Sequence, residues 1–205
     1  MGLFGPSKDE IWSQVARDIG GDYIDRGFWK SDGLRYQHGV WEILLDTYTE
    51  TDSNTSGTSH NTTYTRMRAP FVSQSNFWFK LYPENFFSSI GKLFNSQDIE
   101  VGDPFFDDRF IIKSNQPEKI IQLLSDPRIK SLIQQQPRIL LKIEDNDGFW
   151  KNKLPAGTHE LYFSCVGVIK ETALLRALFE LFGHTLNAFA ENGITTAQPP
   201  NITLE

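Results

Sequence analysis

The chain has 205 residues, 39% hydrophobic and 13% aromatic, which is material for one large domain or two small, tightly joined ones. Its formal net charge is −6, and no Lys/Arg-dense run offers the clustered cations from which nucleic-acid binding draws its affinity, so that class is set aside. A single cysteine, Cys165, rules out an intramolecular disulfide and a cysteine-based zinc site.

The N-terminal stretch from Met1 to Ser7 has neither a basic region nor a long apolar one, and Pro6 spoils a myristoylation pattern. No apolar run approaches the roughly 20 residues of a membrane span. These features predict a soluble, cytoplasmic chain in which the sequons at Asn54 and Asn61 are incidental.

Taken in order, Ser7 and Glu10 form a capping box ahead of Ile11, Trp12, Val15 and Ile19, which share one helical face, and Gly20-Gly21 stops that helix. From Asp22 to about Tyr82 the period changes to two. Asp32-Gly33 reads as a tight hairpin turn. Trp41, Ile43 and Leu45 alternate with Glu42, Leu44 and Asp46, and Met67 and Ala69 alternate with Tyr64, Arg66 and Arg68. Phe77, Phe79 and Leu81 alternate with Trp78, Lys80 and Tyr82, completing an antiparallel meander with one buried face.

Pro83 opens a short helix carrying Phe86, Ile90, Leu93 and Phe94, followed by an irregular stretch from Asn95 to Asp108. A strand at Phe110–Ile112 leads to two helices begun by Pro117 and Pro127, the second capped by Asp126. Ile139, Leu141 and Ile143 begin a strand that turns at Asp145–Gly148. The run Leu161–Ile169, apolar on both faces, predicts a central strand. The longest helix spans about Glu171 to Glu191 with Leu174, Leu178, Leu181, Thr185 and Phe189 on one stripe, and Asn192-Gly193 ends it.

The predicted fold class is α+β, with curved antiparallel sheet backed by helices. The pattern allows two similar helix–strands–helix halves, residues 1–98 and 99–193, followed by a flexible tail at 194–205. Gly-Phe-Trp-Lys occurs at both Gly27–Lys30 and Gly148–Lys151, which motivates a duplication hypothesis.

Catalytic constellations are scarce. His159 and Cys165 fall on one strand about 20 Å apart, too far for a nucleophile and its base, and Cys165 sits among apolar neighbours as an inert thiol. The four histidines lack metal-ligand spacing. No phosphate loop, nucleophile elbow or dinucleotide fingerprint is present, and no cofactor is called for. Asp103, Asp107 and Asp108 around Pro104-Phe105-Phe106 offer the alternative of a hydrolase-like carboxylate cluster, against a plainer role as helix caps.

The outer face of the meander is more informative. A hairpin of strands 40–48 and 62–70 brings Glu42 and Asp46 onto the face of Tyr64, Arg66 and Arg68. The plain reading is a solvated salt-bridge ladder worth roughly 0–1 kcal/mol per exposed pair. The functional reading takes Tyr64, Arg66, Arg68 and Trp78 as a contact surface for a protein or a small anionic ligand, with no nucleic acid and no membrane span. It makes the chain a non-enzymatic binding or interaction module.

The stretch Gly102-Asp103-Pro104-Phe105-Phe106-Asp107-Asp108-Arg109-Phe110-Ile111-Ile112, with Leu123-Leu124-Ser125 after it, resembles bacterial families catalogued only as of unknown function. The resemblance covers the middle third of the chain, implies a bacterial origin, and transfers no functional residue.

Overall fold

A computed structural model of the chain describes residues 5–25, 27, 32–53, 59–84, 98–136, 138–144, 154–202 and 204, the side chains of 52 and 53 excepted. Helix α1 (Lys8–Ile19) starts at the expected capping box: the Ser7 hydroxyl accepts from the Glu10 amide at 3.2 Å, and the Glu10 carboxylate accepts from the Ser7 amide at 2.8 Å. Gly20, at φ +73°, ends it in the left-handed region that glycine occupies without strain.

Among the described residues, eight antiparallel strands form one sheet. They are β1 (Asp22–Ile24), β2 (Gly33–His38), β3 (Trp41–Ser53), β4 (Ser59–Val72), β5 (Phe79–Pro83), β6 (Phe110–Ser114), β7 (Leu140–Glu144) and β8 (Thr158–Val166). Their spatial order is β1-β2-β3-β4-β8-β7-β5-β6. β3 pairs with β2 through residues 41–45 and with β4 through residues 44–53, so it leaves one neighbour as it joins the next. The tight hairpin turn is not Asp32-Gly33. Gly33 is already the first residue of β2, and the two-residue turn is Gly39-Val40, where Gly39 supplies φ +57° between the paired residues His38 and Trp41.

The apolar run that predicted a central strand is β8, seated between β4 and β7. Strands from residues 1–98 and 99–193 interleave, because β5 lies between β6 and β7. The two stretches therefore share one sheet. The four-residue repeat lies almost wholly outside the described residues, as do the helix expected over 86–94 and the turn at 145–148.

Helices α2 (Pro104–Asp107), α3 (Pro117–Leu124), α4 (Pro127–Gln135) and α5 (Thr172–Glu191) join α1 on one side of the sheet. Proline begins α2, α3 and α4, where its missing N–H costs nothing, and Asp126 caps α4 by accepting from the amides of Arg128 and Ile129. The core lies between this layer and the sheet face carrying Leu34, Ile43, Leu45, Met67, Phe71, Phe163, Leu141, Leu81 and Phe79, all buried. Each such side chain contributes about 1.5–3 kcal/mol when fully buried. α5 is buried far beyond its expected stripe, with Leu175, Phe179, Phe182 and Leu186 also inside, because it packs against α1, α3 and α4. Phe189 meets Phe71, Phe77 and Phe79 there.

One buried hydroxyl ties three elements together. Thr65 Oγ1 donates to the Gly167 carbonyl at 2.7 Å and accepts from the Ile169 amide at 2.9 Å, and the Trp12 indole donates to the Ile169 carbonyl at 3.0 Å. This fixes the path from β8 into α5 against α1. The C-terminal segment 194–205, expected to be loose, is anchored in the described part: Thr195 bridges to Ser73, its hydroxyl donates to the Val72 carbonyl at 2.9 Å, and Leu204 is buried. Burying Ile194 and Leu204 offsets the entropy a free end would keep. Among the described residues no helix is long and apolar enough to cross a membrane.

Candidate functional site

Strand pairing converts the outer alternation into a surface. Asp46 lies directly opposite Arg66, Tyr48 opposite Tyr64, and Leu44 opposite Arg68. These positions carry their side chains away from the helix layer, since Leu45 and Met67, their neighbours in sequence, belong to the core beneath it. Asp46, Arg66, Arg68 and Tyr64 converge as expected, whereas Glu42, expected with them, lies where β3 pairs with β2 and forms an ion pair with Arg35 at 3.0 Å.

Its chemistry differs from a solvated ladder. Asp46 is 2% exposed. Arg66 grips it with two bonds, Nε to Oδ1 at 2.8 Å and Nη2 to Oδ2 at 2.7 Å, and Arg68 Nη2 reaches the same Oδ2 at 3.1 Å. One carboxylate thus holds two guanidiniums. Burial works against the charge of Arg66, but the bonds and charge of Asp46 outweigh it, so its pKa stands above the usual arginine value. Arg66 also lies over the Tyr48 ring at 5.1 Å, and Tyr48 stacks on Tyr64 at 4.9 Å with the planes 10° apart. The Tyr162 hydroxyl reaches the Tyr48 hydroxyl at 3.4 Å.

β8 adds a group that sequence reading passed over. Glu160, opposite Pro70 on β4 and Glu144 on β7, is 6% exposed, and its Oε1 makes no hydrogen bond. Burial, partly countered by Arg68, pushes its carboxyl up to about 7. A carboxylic acid beside the strand expected to be apolar on both faces gave the sequence little signal. Its burial depends on which strands flank it. Tyr162 and Ser164, next along the same face, are buried too, and desolvation raises the Tyr162 phenol well above its ordinary range.

Trp78 stands apart from the arginines. By alternation with Phe77 and Phe79 it belongs to the same face, but β8 and β7 separate β5 from β4, roughly 14 Å at the usual strand spacing. Its backbone is held by Asn115, whose Oδ1 accepts from the Trp78 amide at 2.9 Å, and by Ser114, whose hydroxyl donates to the Trp78 carbonyl at 2.6 Å.

The other candidates resolve into structure. Asp107 accepts from the amides of Val101, Gly102 and Asp103 at 2.9, 3.0 and 3.0 Å. Asp103 caps α2 and pairs with Lys130 at 2.8 Å, which holds its carboxyl below the usual range. Asp108 is exposed. Asp103 is thus a helix cap and Asp107 holds the loop that enters α2, and no group of three or more potential metal ligands occurs among the described residues. Cys165 lies six residues from His159 on β8, buried, its thiol pushed up to about 11 by desolvation.

No family model matches the chain, and no curated protein matches it. Among solved structures the chain is similar to the crystal structure of the mycobacterial trehalose monomycolate transport factor A, TtfA, at 10% sequence identity and a TM-score of 0.49, covering 96% of this chain and 98% of that one.

Proposed function

We propose that this chain is a non-enzymatic binding or interaction module whose contact surface is the sheet face that carries no helix among the described residues, with Tyr64, Arg66 and Arg68 at one end and Trp78 at the other. The observation that carries the reading is the buried Asp46 carboxylate shared by two arginines, with the Tyr48–Tyr64 stack beside it. Charges held in this way are costly to desolvate, and replacing such an ionic set with apolar residues is often neutral or stabilising for a fold. A sheet that needed only stability has a cheaper solution in aliphatic side chains. Fixed guanidiniums and flat rings are the groups enriched where proteins meet partners. They suit a protein surface or a small anionic ligand.

Arg66 and Arg68 cannot simply be deleted, because Asp46 would remain buried without a counter-ion. The useful variants are Tyr64→Ala and Arg66→Lys, which keep the charge balance while removing a ring and a bidentate fork. Partners captured by the wild-type chain from host lysate are compared with those captured by the double variant and by Arg128→Gln, an exposed residue of α4 on the opposite layer. A partner lost only from the sheet-face variant supports the reading. A partner kept by that variant, or lost only from Arg128→Gln, rejects it.

A further inference from the structure

The sheet face away from the helices is not bare. Leu44 and Leu204 are buried, at 0% and 4% exposure, yet neither belongs to the helix-side core that holds Ile43 and Leu45. Leu44 therefore faces away from the helices, opposite Arg35 of β2 on one side and Arg68 of β4 on the other. Arg35 Nη2 donates to the Leu204 carbonyl at 3.2 Å, which brings the end of the described chain to this place. Gly33 leaves room for the Leu44 side chain. A Cβ at that glycine would lie 3.3 Å from Leu44 Cδ1 and 2.9 Å from the Leu45 carbonyl oxygen.

The chain reaches this point by passing round one end of the sheet. Ile194 still packs in the helix-side core. The Thr196 amide and the Thr195 hydroxyl then donate to the carbonyl of Val72, the last residue of β4, at 3.1 and 2.9 Å. Leu44 is level with Arg68, about 14 Å along β4 from Val72 at the usual rise, a distance that the chain from Thr196 to Leu204 spans with slack. Beyond Thr196 the attachment is slight. Among the described residues, the stretch from 197 to 204 makes one hydrogen bond to the sheet, that of Arg35. Its other bonds are local, from the Gln198 amide to the Thr196 hydroxyl at 3.3 Å and from the Ile202 amide to the Pro200 carbonyl at 2.8 Å. Pro199 and Pro200 have no amide hydrogen to add. A segment held by one such bond and one leucine belongs to the part of a structure that opens locally, without global unfolding.

We infer that the Leu44–Arg35 place is a docking site for an extended, leucine-bearing peptide segment, which the chain's own residues 197–204 occupy as a strap and a partner must displace. The site rests on the reading of this face as the contact surface and names the kind of partner for its β2–β4 end. Leu204 covers Leu44, so the side chain received is an aliphatic one, and Arg35 holds a backbone carbonyl rather than a charged group. The strap's place adjoins the arginine cluster, because Arg68, level with Leu44, shares Asp46 with Arg66. With the strap seated, a partner's apparent affinity falls by the fraction of molecules in which the site is open.

The probe is a synthetic peptide of residues 196–205, Thr-Ala-Gln-Pro-Pro-Asn-Ile-Thr-Leu-Glu, added up to millimolar concentration to methyl-labelled full chain, wild type and Leu204→Ser. In Leu204→Ser the Leu44 methyl resonances should leave their wild-type positions, while those of Leu45 stay, which shows that the fold is intact. The peptide should return the Leu44 resonances of Leu204→Ser toward their wild-type positions with saturation, bind wild type at least tenfold more weakly, and lose at least threefold in affinity when Arg35→Gln is added. A peptide with serine in place of its leucine should do nothing. Leu44 resonances unmoved in Leu204→Ser, or unmoved by the peptide there, overturn the strap. So does displacement of Leu45 in Leu204→Ser, which would make the segment a fixed part of the fold, and so does equal binding of the peptide to wild type. In each of these cases a partner lost only from Tyr64→Ala with Arg66→Lys leaves the surface reading standing, and a partner kept by that variant rejects the surface reading whatever the peptide does.

Discussion

The two faces of this one sheet solve opposite problems with adjacent residues. Leu45, Met67, Phe163 and Leu141 lie toward the helices in an apolar layer of rings and branched chains. One residue along each strand, Asp46, Arg68, Tyr162 and Lys142 point the other way. The first face needs no partner outside the chain, since α5 and its neighbours cover it. The second keeps buried charge and a protonatable carboxyl, both of which lower the stability of an isolated fold. The contrast separates what this chain uses to fold from the face to which the proposed function assigns binding.

That contrast can be broken at its strongest point first. Phe163→Ala, on the helix-backed face, should cost about 3–5 kcal/mol, the range for truncating a buried aromatic. Denaturant unfolding measures it, and a loss below about 1 kcal/mol would mean that the helix layer does not close over β8. Asp46→Asn should cost roughly 3 kcal/mol, because it removes the buried carboxylate charge that two guanidiniums share on the opposite face. A neutral result there would make the cluster an ordinary surface ladder.

Glu160→Gln sharpens the comparison with the opposite sign. In the native chain Glu160 holds its proton to about pH 7, whereas in the unfolded chain it is released near 4.5. The native state therefore binds more protons between those values, and the stability contributed by this group falls as the pH rises from about 4.5 through 7. Glu160→Gln should flatten that slope and stabilise the chain by roughly 1–3 kcal/mol above pH 7. Equal stabilisation at pH 4 and pH 8 would show that the carboxyl is not the cause.

Much of the fold was legible because its signals are local. The capping box at Ser7 and Glu10, the proline starts of α3 and α4, and the alternation through β3, β4 and β5 each depend on residues close in sequence. The same locality made Asp46, Tyr64, Arg66 and Arg68 readable as one group, since a single hairpin aligns them. The order of the strands beyond β8 was not readable. Residues 80, 113 and 142 meet only after β5 inserts between β6 and β7, and pairing so distant leaves no trace in periodicity. Trp78 was grouped with the arginines although three strand spacings separate β5 from β4, because alternation carries no information on distance across a sheet. At Asp32-Gly33 turn chemistry misled, and the nearby Gly39 carried the positive φ that the hairpin required.

The neighbours Leu140 and Leu141 allow the most direct test. Leu140, opposite Ser164, lies on the charged face, and Leu141, opposite Phe163, lies in the helix-backed core. In a methyl-labelled sample titrated with a partner captured through the Tyr64 and Arg66 face, the Leu140 methyl resonances should move with saturation while those of Leu141 and Leu45 stay in place. Movement of Leu141 and Leu45 with Leu140 unchanged would put the partner on the helix side and contradict the division of labour between the two faces.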